Sequence, residues 1–235
     1  IVNDDQIDQQ GIRISKPANA SGVYNLNGTL SWGLPVKPIK STLNINTDFA
    51  QGRTANFING MRNNILTRNI TEQINLNFIH KEVLDITLGT SISYNSVDYP
   101  LTHQQNTNYW NQEYSFDANI YLPKGFSLAS EFTFTRNTGY ANGFNTNVAL
   151  WNAGIAKQLF KNKKGEIKIQ MFDILNENVG ISRNTNQNYI EDVYSKVLNR
   201  YLLISFTYNI SRFAGKGAPV QKGSNIKVVG ERSRM

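Results

Sequence analysis

The chain has no cysteine, which excludes disulfides and thiolate metal sites but no compartment. It has no run near the ~18 apolar residues of a membrane helix, so any bilayer crossing must be made by strands. Charge is scarce: Asp, Glu, Lys and Arg make up 17% of the 235 residues, below the roughly 25% of an ordinary soluble domain. Apolar residues do not fill the gap, since they stand at 40%; Asn, Thr and Ser do, and mean hydropathy is negative. Histidine is limited to His80 and His103, neither with ligand spacing around it, so both are expected as exposed polar residues. There is no Gly-rich phosphate loop, nucleophile elbow or HExxH pair. Asp85, Asp117 and Glu131 are the carboxylates a glycosidase-like pair would need, but their places on polar strand faces fit a wet interior better. No catalytic residue, metal site or cofactor is expected, and the chain is not read as an enzyme.

The net charge of +7 is unevenly spread. Residues 212–235 hold Arg212, Lys216, Lys222, Lys227, Arg232 and Arg234 against Glu231 alone, so 6 − 1 = +5 of the excess sits in a tail. Beyond Phe213 the tail has no aromatic residue to stack on a base, so it reads as a solvated extension and not as a nucleic-acid patch. The sequence opens at Ile1 without Met or a charged-then-apolar leader, and is expected to be a mature or truncated product.

What the chain does have is alternation. Residues 199–213 place Leu202, Ile204, Phe206, Tyr208 and Ile210 on one side, and Leu203, Ser205, Thr207, Asn209 and Ser211 on the other. That is a strand of about 12 residues, against a soluble mode of about 5–6. About 9–11 tilted residues cross a bilayer as a barrel strand, with aromatic girdles at the interfaces. The same period of two returns at Tyr24 to Leu34, Leu43 to Phe49, Ile74 to Phe78, Leu84 to Tyr94, Tyr114 to Leu122, Phe126 to Phe134, Ala149 to Leu159 and Ile167 to Met171. A weaker first strand holds Ile12 and Ile14. Connections alternate short (near residues 36, 82, 124 and 163) and long and polar (50–68, 95–108, 136–147 and 175–198), the signature of short periplasmic turns and long external loops. A soluble β-sandwich also alternates, but its open face carries Lys, Glu and Arg, whereas these faces carry Asn, Ser, Thr and Asp.

The expected fold is therefore all-β: an antiparallel transmembrane β-barrel of about ten strands over residues 1–213, with a basic periplasmic tail over 214–235. Leu26, Leu30, Leu76, Leu88, Ile120, Leu128, Ile155 and Ile204 are expected to face lipid, and Asn27, Thr29 and Ser205 the lumen. Tyr109, Trp110, Asn111 and Tyr140 lie in aromatic–polar loops and are the candidate ligand contacts.

Several pieces carry a resemblance: residues 150–157 (LWNAGIAK), 172–178 (FDILNEN), 181–183 (ISR), 200–203 (RYLL) and 206–208 (FTY). Together they resemble the C-terminal barrel of TonB-dependent-receptor-like outer-membrane proteins, in the branch common in Bacteroidetes. The resemblance implies the C-terminal part of a larger barrel in the Gram-negative outer membrane, acting as a receptor or transporter for nutrient uptake. It implies outer-membrane lipid and the barrel-assembly machinery as partners, with TonB acting through an N-terminal plug. It also makes Phe206, Tyr208 and Phe213 the barrel-assembly signal in the last strand, although the family ends on a terminal aromatic and Phe213 is followed by 22 more residues. The alternatives are a structural or assembly barrel without cargo, or a small standalone porin-like barrel.

Overall fold

The computed structural model describes residues 2–7, 10, 12–58, 61–99, 106–160, 162–185 and 190–210. The alternating stretches form β1 (Val2–Ile7), β2 (Arg13–Ala18), β3 (Tyr24–Val36), β4 (Ser41–Ile58), β5 (Met61–His80), β6 (Leu84–Asp98), β7 (Thr107–Leu122), β8 (Phe126–Thr138), β9 (Thr146–Leu159), β10 (Gly165–Phe172), β11 (Gly180–Thr185), β12 (Ile190–Ser195) and β13 (Tyr201–Tyr208). Strands β3 to β10 each pair antiparallel with the next, and β13 returns to β10. This nine-stranded meander is the body of the molecule. The β1–β2 hairpin adjoins the far end of β4 through a short parallel contact, Asp4 to Phe57 and Asp5 to Ile58. Strands β11 and β12 form a hairpin of their own. The sheet is open, with β3 and β13 unpaired to one another.

The two faces separate by chemistry across all nine strands. Register partners share a face, so one row runs Leu34, Leu43, Leu76, Leu88, Phe116, Phe132, Trp151. Another runs Leu84, Ile120, Leu128, Ile155, Ile169, Ile204. The eight residues expected to face lipid all lie on this apolar face. The opposite face shows rows such as Asn77, Thr87, Asp117, Glu131, Asn152. A one-residue slip anywhere would carry a whole strand's apolar set to the polar side, so this pattern fixes the register.

The strand tilt can be read from the turns. The first short turn closes at Val36 and Ser41, whose row reaches Phe78; the next closes two residues further on, at His80 and Leu84. The third closes at Leu122 and Phe126, two beyond the Leu84–Ile120 row, and the fourth at Leu159 and Gly165, two beyond Lys157. A step of two residues per two strands is ~3.4 Å per ~4.8 Å, a tilt of about 35°. That falls at the lower edge of the range for membrane barrels. Tilted by that angle, the four turns lie on one level.

The expected long connections need correction. Residues 50–68 were expected to be a long polar connection; instead β4 runs to Ile58 and β5 begins at Met61, paired throughout as a hairpin. The strand period continues there (Phe49, Gln51 and Arg53 on one side; Ala50, Gly52 and Thr54 on the other), but both sides are polar and the alternation is lost to the eye. Residues 175–198 likewise contain the β11–β12 hairpin. The long connections around 95–108 and 136–147 are shorter than expected, because β6 and β8 continue to Asp98 and Thr138 and β7 and β9 begin at Thr107 and Thr146.

No central core holds this sheet among the described residues. Among the described residues eight hydrophobic side chains are buried, grouped mainly as Ile65, Val97 and Tyr99, and as Ala129, Ala156 and Phe172. The apolar face is uncovered instead, with Leu88 at 45%, Trp32 at 56% and Ile204 at 65% exposed. An apolar band many strands wide exceeds what a soluble monomer exposes and calls for lipid against it.

Candidate functional site

The connections at the end opposite the short turns gather the chemistry. Arg183 on β11 and Asp192 on β12 are register partners joined by a two-pronged ion pair, Nε to Oδ1 and Nη2 to Oδ2, both 2.6 Å. Their side chains are only 4% and 6% exposed. Arg183 Nη1 also donates to the Gly139 carbonyl at 2.9 Å, and its guanidinium lies 4.1 Å from the centre of the Tyr140 ring and 5.2 Å from that of Tyr109. Tyr140 meets Tyr109 edge-on at 5.5 Å, and its hydroxyl donates to Asn111 Oδ1 at 2.8 Å. Asp192 Oδ2 accepts from the Ala141 amide. The hairpin is thereby latched to the β8–β9 connection and the start of β7.

Backbone and charge support the latch. Gly139 has φ +82°, and a Cβ there would run into the Asn108 carbonyl, so the acceptor for Arg183 sits where only glycine fits. Hydrogen bonds from Arg183 hold the Asp192 carboxyl below its ordinary value, helped by the Ala141 amide and opposed by burial. Burial, and after it the neighbouring Tyr109, push the Tyr140 hydroxyl up to about 12, so it stays a donor at neutral pH.

Of the four candidate ligand contacts, Tyr109, Asn111 and Tyr140 thus come together on the polar face. Trp110 does not: it points to the apolar face and packs against Tyr94, ring centres 4.8 Å apart. With Phe49 and Ile70 in the same row, Tyr94 and Trp110 mark one border of the apolar band, the place of an interfacial aromatic. Arg183 and Asp192 were missed as a pair by sequence reading. Arg183 counted only as part of a family signature, and the signal that finds Asp192 is its mirrored place across a hairpin.

The segment FDILNEN also acquires a physical role. Asp173, buried and at φ 49°, accepts the amides of Glu177 (2.9 Å) and Asn178 (3.2 Å) and gives its own amide to Asn152. The Ile174 amide donates to the Trp151 carbonyl and Glu177 accepts the Ala149 amide. The turn is thus fastened to the end of β9. A cleft of about 490 Å³ opens beside it, with Glu177, Tyr194 and Lys196 among its walls.

Below this end the polar face is a ladder of side-chain hydrogen bonds between register partners. Thr29 donates to Asp48 at 2.7 Å, Asn69 to Asn95 at 2.8 Å, Thr87 to Asn77 at 3.1 Å and Asn137 to Thr146 at 3.0 Å. Asp85, Asp117 and Glu131 all lie on this face, the last two as partners across β7 and β8. Among the described residues no group of three or more His, Asp and Glu could hold a metal ion. The partition breaks in the row that joins Thr47, Glu72, Ile92, Gln112 and Arg136, where Glu72 lies on the apolar face between Ile70 and Ile74, its carboxylate accepting from Thr47 at 2.6 Å. In the last strand Phe206 and Tyr208 stand on the apolar face, Tyr208 edge-on to Phe160 at 5.9 Å. Phe213, His103 and the basic tail lie outside the described residues.

No curated protein and no solved structure matches the chain. One family model does, that of the outer membrane protein beta-barrel family, over residues 1–208. The match spans every strand of the sheet, from β1 to the last residue of β13. Together with a tilted meander of long strands, apolar on one face and hydrogen-bonded on the other, it shows that this chain belongs to the outer membrane protein beta-barrel family.

Proposed function

We propose that the chain forms wall strands of an outer-membrane receptor or transporter for nutrient uptake, of the TonB-dependent type its motifs resemble in Bacteroidetes. Its cargo is a peptide, glycan or metal chelate, and the chain itself is not catalytic. The observation that carries this reading is the polar face. Asn, Thr, Ser and carboxylates cover it from the short turns to the latched hairpin, a wettable path beside a lipid-facing wall. In this reading the short turns are periplasmic, the latch and cleft face outward, and the chain continues into the periplasm after β13. The free edges of β3 and β13 add a requirement. Unpaired backbone groups in hydrocarbon cost several kcal/mol each, so further strands pair with both edges in a larger barrel.

A cargo-free structural barrel is the competing reading. It is favoured by how many lumenal side chains are already paired with one another, Arg183 and Tyr140 included. The two separate in cells carrying or lacking the gene, given fluorescent peptides, oligosaccharides and iron chelates with and without a protonophore. Uptake that needs both the gene and the proton gradient is expected. Uptake indifferent to the gene for every solute class tried, with the outer membrane weakened by its loss, would favour the structural reading. A plug with a TonB box encoded upstream of Ile1 would support transport independently.

A further inference from the structure

Each of the four short turns contains one lysine in the left-handed backbone region: Lys40 at φ 50°, Lys81 at 53°, Lys124 at 63° and Lys163 at 54°. That region suits glycine or asparagine and disfavours side chains with a Cβ. The same chain uses glycine for it at Gly22, Gly125, Gly139 and Gly143, and Phe160 adopts it beside Lys163 in the fourth turn. The lysine stands at a different place in each turn, last in 37–40, first in 81–83, second in 123–125 and fourth in 160–164, so no single turn geometry accounts for it. What the four share is an ammonium group on a long flexible stem, and a disfavoured conformation recurring in every short turn points to the side chain.

The positions themselves name the partner. Because the turns step two residues per hairpin, the tilt brings all four to one level, just beyond the apolar band, where headgroups begin. All four lysines are exposed. The described turn residues hold Lys37, Lys40, Lys81, Lys124, Lys163 and Lys164 against Glu82 alone, 6 − 1 = +5. Lys157 reaches the same level from within the band: its ammonium lies over the Phe126 ring, Nζ 4.0 Å from the ring centre, and donates to the Lys124 carbonyl. We propose that these turn lysines form a collar that binds the headgroup phosphates of anionic phospholipids. The collar rests on the barrel reading above and adds a lipid preference at the short-turn rim.

The test uses the intact barrel that carries this chain, refolded into vesicles of equal parts phosphatidylcholine and phosphatidylglycerol, then extracted in mild detergent, with retained lipid identified by mass spectrometry. At about fivefold per lysine near an anionic surface, the wild type is expected to retain phosphatidylglycerol at least ~10-fold over phosphatidylcholine. The variant combining Lys40→Gly, Lys81→Gly, Lys124→Gly and Lys163→Gly is expected to fold at least as well, since glycine suits the backbone, yet to fall to parity. The matching arginine variant should keep the preference. A wild type that inserts and shifts on heating but retains both lipids equally would overturn the collar and leave the barrel reading standing. So would a glycine variant with undiminished preference. Capture of a polyglutamate probe by the wild type, without lipid preference, would mean that the lysines meet an acidic protein instead. Failure of that intact barrel to insert into the vesicles would remove the barrel reading itself.

Discussion

Arg183→Ala should free the β11–β12 hairpin while leaving the sheet intact. The substitution removes two 2.6 Å bonds to Asp192, the 2.9 Å bond to the Gly139 carbonyl and the contact with the Tyr140 ring. It leaves Asp192, 6% exposed, with the Ala141 amide as a remaining donor. Breaking one side of a buried ion pair costs about 3–5 kcal/mol, a rise in local opening of roughly 10²-fold to several thousandfold at ~1.4 kcal/mol per tenfold. Hydrogen exchange on the reconstituted protein reads this directly. The amides of residues 181–184 and 191–195, and that of Ala141, should lose two or more decades of protection, while those of β6 and β7 keep theirs. Arg183→Met combined with Asp192→Leu should recover most of the loss, because no buried charge is then left unpaired. If hairpin protection in Arg183→Ala stays within about threefold of wild type, the ion pair does not hold the hairpin and the latch is wrong.

Acid should act on the same pair. A carboxyl held below its ordinary value contributes stability that is present above the unfolded value of about 3.9 and lost as pH falls through the folded one. Hairpin exchange, corrected for intrinsic rate, should therefore rise below about pH 4 in the wild type and be flat there in Asp192→Asn. Leu88→Arg, on the apolar face, should cost about 2–4 kcal/mol in denaturant titrations from vesicles, and Thr87→Arg, its lumenal neighbour, much less; equal losses would mean that the faces are misassigned. Glu72→Leu should stabilise the protein by about 1–2 kcal/mol in the same titration, because it removes an acid from the lipid side, and a loss of stability would give Glu72 a structural role with Thr47.

The membrane-crossing part of the fold was open to reading because lipid and lumen impose opposite demands on neighbouring residues, as Leu26 and Asn27 or Ile204 and Ser205 show. Where both faces meet water that contrast vanishes. The outer halves of β4 and β5, rich in Asn, Thr and Arg, looked like loop although every residue from Ala50 to Ile58 pairs with one between Met61 and Asn69. The latch was hidden for a different reason: Arg183 meets Thr107 and Gly139 across 76 and 44 residues of chain, and no local pattern carries that information. The aromatic–polar loop was legible as a place of interest, but only the parity of β7 separates Tyr109 and Asn111 from Trp110. Glu72 needed the same parity, extended upward from Phe78 through Ile74 to Ile70.

The two-faced wall is the claim on which the rest depends, and the absence of native cysteine makes it directly measurable. Single cysteines at each position from 84 to 94 along β6, labelled with a polarity-sensitive fluorophore in vesicles, can be quenched by lipid-borne nitroxide or by aqueous iodide. The expected result is a strict period of two. Positions 84, 86, 88, 90, 92 and 94 should be quenched from the lipid, most deeply near 88 and 90, and 85, 87, 89, 91 and 93 from the water. Equal quenching of both sets by iodide, or lipid quenching of the odd positions, would contradict it.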